Sequence, residues 1–417
     1  MKVPDAEIPV PDPWPDLEAL CRLPHRGTAT PEEGRAARWL AAVLQERGYE
    51  VDVQPFTAPR HTLYLGPGWI GLGLAALALG GARWSGPAWG YAVMAAVAVL
   101  ALLPLVGELA LWPAGSRLSL GVVVPRGRSQ NVVARLPRHG APRGDAVAGP
   151  PLHVVVTAHY DTQWGSWLFA PRFLPFLQAF FVAGYAAFAA VPVLLAARAL
   201  GAAPAAPLAA AGALAAAVAG FLLVSWLAGR PVNGANDNGS GVAVALALAR
   251  RWAQAPLPGI ELTVALTGAE ETGMRGMAAL LDHPWFPRHA PRGVVVVNVD
   301  NVGAGRLHYL TAEGMLRPVR YDRWLVERAR ELAAALPAGM LTPGPRPLLP
   351  TDALVPAARG IPAITFLGAG PRGRIPHYHW HTDRLEHVDR AHLVQVAGVL
   401  WSYLEHLARA ASRPPAA

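Results

Sequence analysis

Cysteine is almost missing from this chain: Cys21 stands alone among 417 residues. One thiol excludes an internal disulfide framework and any zinc site built on cysteines. Charge is scarce as well. Asp, Glu, Lys and Arg make up 15% of the residues against 53% hydrophobic ones, a balance that a soluble enzyme of this size would struggle to keep in solution. The net charge of +8 comes from scattered arginines, with no basic run and no stripe of arginine and aromatic residues. Nucleic acid is therefore not the expected partner, and anionic lipid headgroups are. The chain also lacks a phosphate-binding glycine loop. Gly239-Ser240-Gly241 is no nucleophile elbow, because no glycine stands two positions before the serine. The opening MKVPDAEIPVPDPWPD does not have the pattern of a secretory signal.

What is abundant is uncharged apolar sequence. A bilayer helix needs about 20 apolar residues, and four runs reach that length: 63–82, 84–107, 173–197 and 199–229. They come as two hairpins. The runs contain Gly, Pro or both, which membrane helices tolerate, and Trp69, Trp84, Trp89, Trp112, Trp167 and Trp226 fall near run ends, as an interfacial belt would place them. Buried core helices of a large soluble protein are the alternative, but charge-free runs this long are rare there. The expected organisation is then 1–62, hairpin one at 63–112, 113–166, hairpin two at 167–229, and 230–417, a multi-pass integral membrane protein whose three polar pieces lie on one side of the bilayer. Arg60, Arg117, Arg172 and Arg230 flank the proximal ends while only Arg83 and Arg198 sit in the distal loops. By the positive-inside rule that side is cytoplasmic.

With the hairpins removed, the remainder reads as one α/β domain. Thr30-Pro31-Glu32-Glu33 supplies a cap, a proline at the first helical position and first-turn acids for a helix stopping at Gly48. Short apolar runs of strand type follow at 153–161, 260–271, 293–301 and 361–368, with helical patterns between them at 241–254 and 322–336. Near-continuous apolar strands alternating with helices predict a mostly parallel central sheet with helices on both faces. Ligands of such sheets bind at the carboxyl ends of the strands. That rule selects His159 and Asp161, Glu270 and Glu271, and Asp300, with Asp237 in NGANDNGSG just ahead of a helix.

Carboxylates gathered on one rim repel one another and raise each other's pKa unless a cation neutralises them. A His/Asp/Glu set without cysteine suits zinc, or less specifically manganese or cobalt, in a hydrolytic centre with an open water position. Two metals about 3.5–4 Å apart, bridged by one carboxylate, would use this many ligands. Adjacent residues leaving a strand point differently, so one glutamate of the 270–271 pair can bind metal while the other faces the water.

AHYDT, NDNGSG, AEETG, NVDNVG and a late His-rich segment, in this order, resemble the M28 family of zinc peptidases. The N-terminal helix ahead of YEVDVQPF, NVVARL at 131–136 and TDALVPAARGIPAITF at 351–366 are similar to that family too, so the likeness covers essentially everything outside the hairpins. It implies a zinc exopeptidase fold, two zinc ions and a peptide substrate, most simply for an aminopeptidase. Asp237 then becomes the bridging ligand, His159 and Asp300 serve one metal, Glu271 and a late histidine the other, Glu270 is the general base, and Asp161 orients His159. In PHYHWHTDRLEHVD the family frame favours His379 as that histidine, with His381 its rival and His377 and His387 outside the set. The departure from the family is the second hairpin, which fills the connection between His159 and Asp237. It puts the site in sequence close to the bilayer and suggests either membrane-associated peptide substrates or plain anchoring. A glutaminyl-cyclase-like acyltransferase and a non-catalytic membrane scaffold on the same fold are the alternatives.

Overall fold

The computed structural model describes residues 9–110, 119–137, 150–314, 318–347 and 349–412. Trp112 and Arg117, used above for the membrane reading, lie outside the described residues. The chain divides into two compact units, one of Met1–Ala58, Arg128–Gln163 and Pro231–Ala417 and one of Pro59–Gly127 and Trp164–Arg230.

The first unit is built on an eight-stranded sheet. In spatial order its strands are Glu50–Pro59, Arg126–Arg135, Ile260–Thr267, Leu152–His159, Val294–Asp300, Ala363–Ala369, Arg306–Tyr309 and Thr342–Pro343. The four central strands run parallel, while Arg126–Arg135 and Arg306–Tyr309 pair antiparallel with their inner neighbours. Every residue of Leu152–His159, Val294–Asp300 and Ala363–Ala369 is buried. Because successive side chains point to opposite faces, both faces of the sheet must be covered. Helices Pro31–Glu46, Gly241–Gln254, Arg323–Ala335 and Arg390–Ser412 provide apolar faces for this, through residues such as Leu40, Leu246, Leu325 and Leu400. The helix predicted over 241–254 has those bounds. Thr30 caps Pro31–Glu46 by accepting from the Glu33 amide. The short strand Arg306–Tyr309 carries no apolar run and was not foreseen.

Among the described residues, the second unit holds four long α-helices, Thr62–Arg83, Ala88–Ala110, Leu177–Ala199 and Ala205–Ala228. All four are long and apolar enough to cross a membrane, with mean hydropathy from 1.5 to 2.3 in their most apolar windows. They are poor core helices. Only 28% to 56% of each window is buried, and Trp89, Leu100, Val193 and Leu227 stand exposed. Where the helices meet, small residues allow close approach: a Cβ on Gly71 would lie 2.6 Å from Phe188 Cζ and 2.8 Å from Ala219 Cβ, and one on Gly212 would lie 2.8 Å from Ala78 Cβ. Glycine at such crossings is the packing device of helices in lipid.

Candidate metal centre

The parallel register places the acids. Thr157 lies opposite Asn298, so two residues further on His159 and Asp300 end neighbouring strands, and Leu367 pairs with Asp300 on the other side. Thr267 ends the strand beside His159, and the chain then turns through Glu270 and Glu271. Asp237 arrives from the Ala235–Ser240 turn ahead of Gly241–Gln254, and His379 from the loop after Ala363–Ala369. Each of these residues therefore stands at the carboxyl rim of the sheet.

Three groups of possible ligands come together there: His159, Asp237 and Asp300; Asp237, Glu271 and His379; and His159, Glu270 and Glu271, the ligand atoms of each lying within 4.8 Å of one another. Asp237 belongs to two of them. His159 Nε2 is 3.3 Å from Asp237 Oδ1 and 3.6 Å from Asp300 Oδ1, whereas His379 Nε2 is 3.0 Å from Asp237 Oδ2 and 3.1 Å from Glu271 Oε2. Ligand atoms bonded at about 2.0–2.1 Å to one tetrahedral ion are about 3.3 Å apart, so both groups have the spacing of a coordination shell. Asp237 thus offers one oxygen to each group.

The protonation pattern fits a metal as well. The Asp161 main-chain oxygen, which can only accept, is 3.2 Å from His159 Nδ1, so that nitrogen carries a hydrogen and Nε2 is the one turned toward Asp237 and Asp300. Glu271 Oε1 is buried without a hydrogen bond, while Asp237 Oδ2 meets His379 Nε2 at 3.0 Å. Bare buried carboxylate oxygens are costly unless something positive meets them. Burial pushes the Glu271 carboxyl up to about 7, against the pull of His379 and with the push of Asp237. Glu270 is raised well above the carboxylate range, again first by burial. For Asp237 burial is outweighed by His159 and His379, which hold it below the ordinary value. His379 is pushed up to about 9, because Glu271 and Asp237 more than offset its burial. Crowded acids that share protons with imidazoles are what two dications would replace.

Among the histidines of the late segment, His379 is buried at the cluster with its ring stacked 3.7 Å from Tyr378, while His381 is exposed beside Trp380. His377 binds Thr382 and stacks on His387.

Asp161 holds more than the histidine. Its carboxylate accepts from the amides of Glu270 at 3.0 Å and Glu271 at 3.3 Å and from Thr28 Oγ1 at 2.6 Å, and stands 3.6 Å from His159 Nδ1. Glu33 Oε1 adds a bond from the Ala269 amide, so consecutive amides of the 269–271 turn are held by two buried acids. Sequence reasoning missed several such supports. Asp383, only part of a quoted motif, accepts from the amides of Asn236 at 2.6 Å and Asp237 at 3.0 Å. Asn238 Oδ1 accepts from Gly241 and Asn301, tying the Asp237 turn to the end of the Asp300 strand. Gln163 Nε2 donates to Glu271 Oε2 at 2.9 Å. Asp352 is fully buried, takes a bond from Thr267 Oγ1 at 2.5 Å, and leaves Oδ1 without a donor. The Thr351-Asp352 pair in the quoted 351–366 stretch was the available signal for it.

The sequence pattern of peptidase family M28 matches residues 220–404, which takes in Asp237, Glu270, Glu271, Asp300 and His379 but not His159 or Asp161. Aminopeptidase YwaD of Bacillus subtilis is 28% identical over 188 residues, an alignment covering 43% of this chain and 39% of that protein. Among solved structures, a zinc aminopeptidase from Bacillus subtilis superposes with a TM-score of 0.54 at 18% identity, over 96% of each chain. A glutaminyl cyclase from Porphyromonas gingivalis gives 0.55 at 15% identity, over 95% of this chain and 97% of that one. The fold is that of the zinc exopeptidases. Identities this low carry the architecture and leave the chemistry to the site.

Proposed function

We propose that this chain is a membrane-bound zinc metallopeptidase of the M28 type that acts as an aminopeptidase. The observation that carries it is Asp237, whose two oxygens face two separate ligand groups, each completed by one histidine and one further acid. His159 and Asp300 would hold one zinc, Glu271 and His379 the other, with Asp237 between them. Bound zinc supplies a water of near-neutral pKa and polarises the scissile carbonyl.

The remaining work falls to the chain's own groups. Glu270 is partly open where Glu271 turns inward, so it can take a proton from the attacking water and pass it to the leaving amine. Asp161 fixes the direction of both glutamates through their amides and the tautomer of His159 through its carbonyl. Asp383 holds the Asp237 turn in the same manner.

The four apolar helices, with outward faces that remain apolar, support anchoring in a bilayer as a multi-pass protein. The arginine distribution favours the cytoplasmic side for the first unit, and protease accessibility in sealed cells reads it directly. The test of the enzyme reading is metal analysis together with turnover of aminoacyl anilides. Two zinc ions per chain and release of the free amine support it; a metal-free protein without hydrolysis overturns it. The glutaminyl cyclase neighbour supports a second reading, cyclisation of N-terminal glutaminyl peptides with loss of ammonia, on the same acids. One zinc per chain with ammonia release, and no anilide hydrolysis, would favour it.

A further inference from the structure

Arg26 reads in the sequence as one of many scattered arginines, yet it is fully buried. Its guanidinium donates to three main-chain oxygens: Nε to Tyr160 at 2.6 Å, Nη1 to Asn233 at 2.7 Å and Nη2 to Gly234 at 2.8 Å. Tyr160 lies between His159 and Asp161, and Gly234 begins the turn that delivers Asp237. The backbone beside it makes the same connection. The Arg26 amide donates to Thr162 Oγ1 at 3.0 Å, the Thr162 amide returns to Arg26 O at 3.3 Å, and Gly27 bridges Thr162 in parallel. Asn233 Nδ2 in turn donates to the carbonyls of Cys21 and Leu23.

These partners share one feature of chain topology. After Gln163 the chain leaves the first unit for the second hairpin, and it returns at Pro231. Tyr160 and Thr162 are on the outgoing segment, Asn233 and Gly234 on the returning one. Directly between those segments, the Val232 amide reaches Gln163 O at 3.2 Å. A long excursion leaves its two ends free to drift relative to each other, and the closure entropy opposes bringing them together. Here the drift would act on His159 and Asp237, whose 3.3 Å separation is part of the proposed centre.

We propose that Arg26 is a positioning residue that pins the two ends of the second insertion and thereby sets the spacing of His159 and Asp237. The inference rests on the metal-centre reading of those two residues. A planar fork of donors suits three carbonyls from two segments, which a lysine ammonium cannot span in the same way. Gly234 has φ +70°, and a Cβ there would run into the Thr162 side chain and Asp237 O, so the returning segment passes close enough for the fork to reach it. Cys21, Asp383, Asp161 and Asp237 are the titratable groups whose charge acts on the buried cation.

The test uses the full-length protein with Arg26→Lys and Arg26→Met. Backbone hydrogen exchange reads the clamp without any catalysis. The Thr162, Val232, Asn236 and Asp237 amides are expected to exchange at least tenfold faster in both variants, with the Leu152–His159 and Val294–Asp300 strands unchanged. Zinc affinity by chelator competition should fall about 10–100-fold, the range for losing a group that orients a ligand. The visible spectrum of the cobalt-loaded protein should shift, more in Arg26→Met than in Arg26→Lys. Equal acceleration across all strands would mean a general loss of stability and would overturn the proposal. So would unchanged exchange at 232–237 in both variants. If wild type binds no zinc or cobalt, the metal reading fails by itself, while the exchange result still decides whether the clamp exists.

Discussion

The two units are held together by different physics. In the first, the segments that meet at the sheet rim are fixed by single atoms: a carboxylate of Asp161 under two amides, Asp383 under two more, Asn238 between a helix start and a strand end. In the second, contact is made by small residues against rings and branched chains, as where Gly71 meets Phe188 and Ala219 and Gly81 meets Leu195. Hydrogen-bonded networks with buried charge are intolerant of one lost partner. Apolar packing between helices tolerates exchanges of similar volume and fails mainly by overpacking. One region should therefore break in chemistry and the other in stability.

Among single substitutions, Glu270→Gln should produce the largest effect. It removes the proposed proton acceptor while leaving the amides of the 269–271 turn in place, so kcat is expected to fall about 10²–10⁴-fold, with zinc content unchanged. Steady-state kinetics beside metal analysis checks both halves. A variant with normal kcat would remove Glu270 from the mechanism.

Metal removal comes next and should separate the units thermally. Groups that bind the folded chain alone stabilise it by about 4 kcal/mol when present at about 1,000 times Kd. Chelation should lower the melting of the first unit by an effect of that order and abolish activity, with zinc restoring both. Helical signal from the second unit, followed in detergent by circular dichroism, should hold to the original temperature. Simultaneous loss of both signals would show that the division is not thermodynamic.

Within the second unit, Gly71→Leu forces a side chain into the space of Phe188 and Ala219. Overpacking of this kind costs about 1–3 kcal/mol. The expected result is a lower unfolding midpoint with kcat and KM per folded molecule unchanged. Gly73, whose added Cβ would meet nothing within 4 Å, is the control, and Gly73→Leu should be near neutral.

The same contrast governs what the sequence made readable. Strands and the 241–254 helix show as runs because burial on both sheet faces requires continuous apolar residues, and the four long helices show because nothing charged interrupts them. His159, Asp237, Glu270, Glu271, Asp300 and His379 could be selected because strand ends and family order point at them. Arg26, Asp383, Gln163 and Asp352 could not be assigned in that way. Their roles depend on which distant backbone and side-chain groups come within 3 Å, and a one-dimensional pattern has no term for that. The antiparallel strand Arg306–Tyr309 was hidden for a related reason: its order comes from pairing with Ala363–Ala369, and its own residues alternate without an apolar run.

The smallest expected effect sharpens the comparison away from the proposed metal ligands. Glu313 is fully buried and accepts from the Thr351 amide at 2.7 Å and from Thr351 Oγ1 at 2.9 Å. Burial pushes its carboxyl up to about 8, partly opposed by those bonds and aided by the charge of Asp300. The folded state thus keeps a proton that the unfolded chain releases near the ordinary value of 4.5. Stability from the neutral form is complete below that pH and is lost as pH rises through about 8. In Glu313→Gln the amide oxygen can take the Thr351 amide and the amide nitrogen can donate to the Thr351 hydroxyl, so the packing is kept and the titration removed. Unfolding free energies from denaturant titrations should then fall less between pH 5 and pH 8 in the variant than in wild type, by about 1 kcal/mol or more at the alkaline end. Parallel pH profiles for the two proteins would mean that Glu313 ionises at the same pH folded and unfolded, and that its buried neighbours already stabilise the charged form.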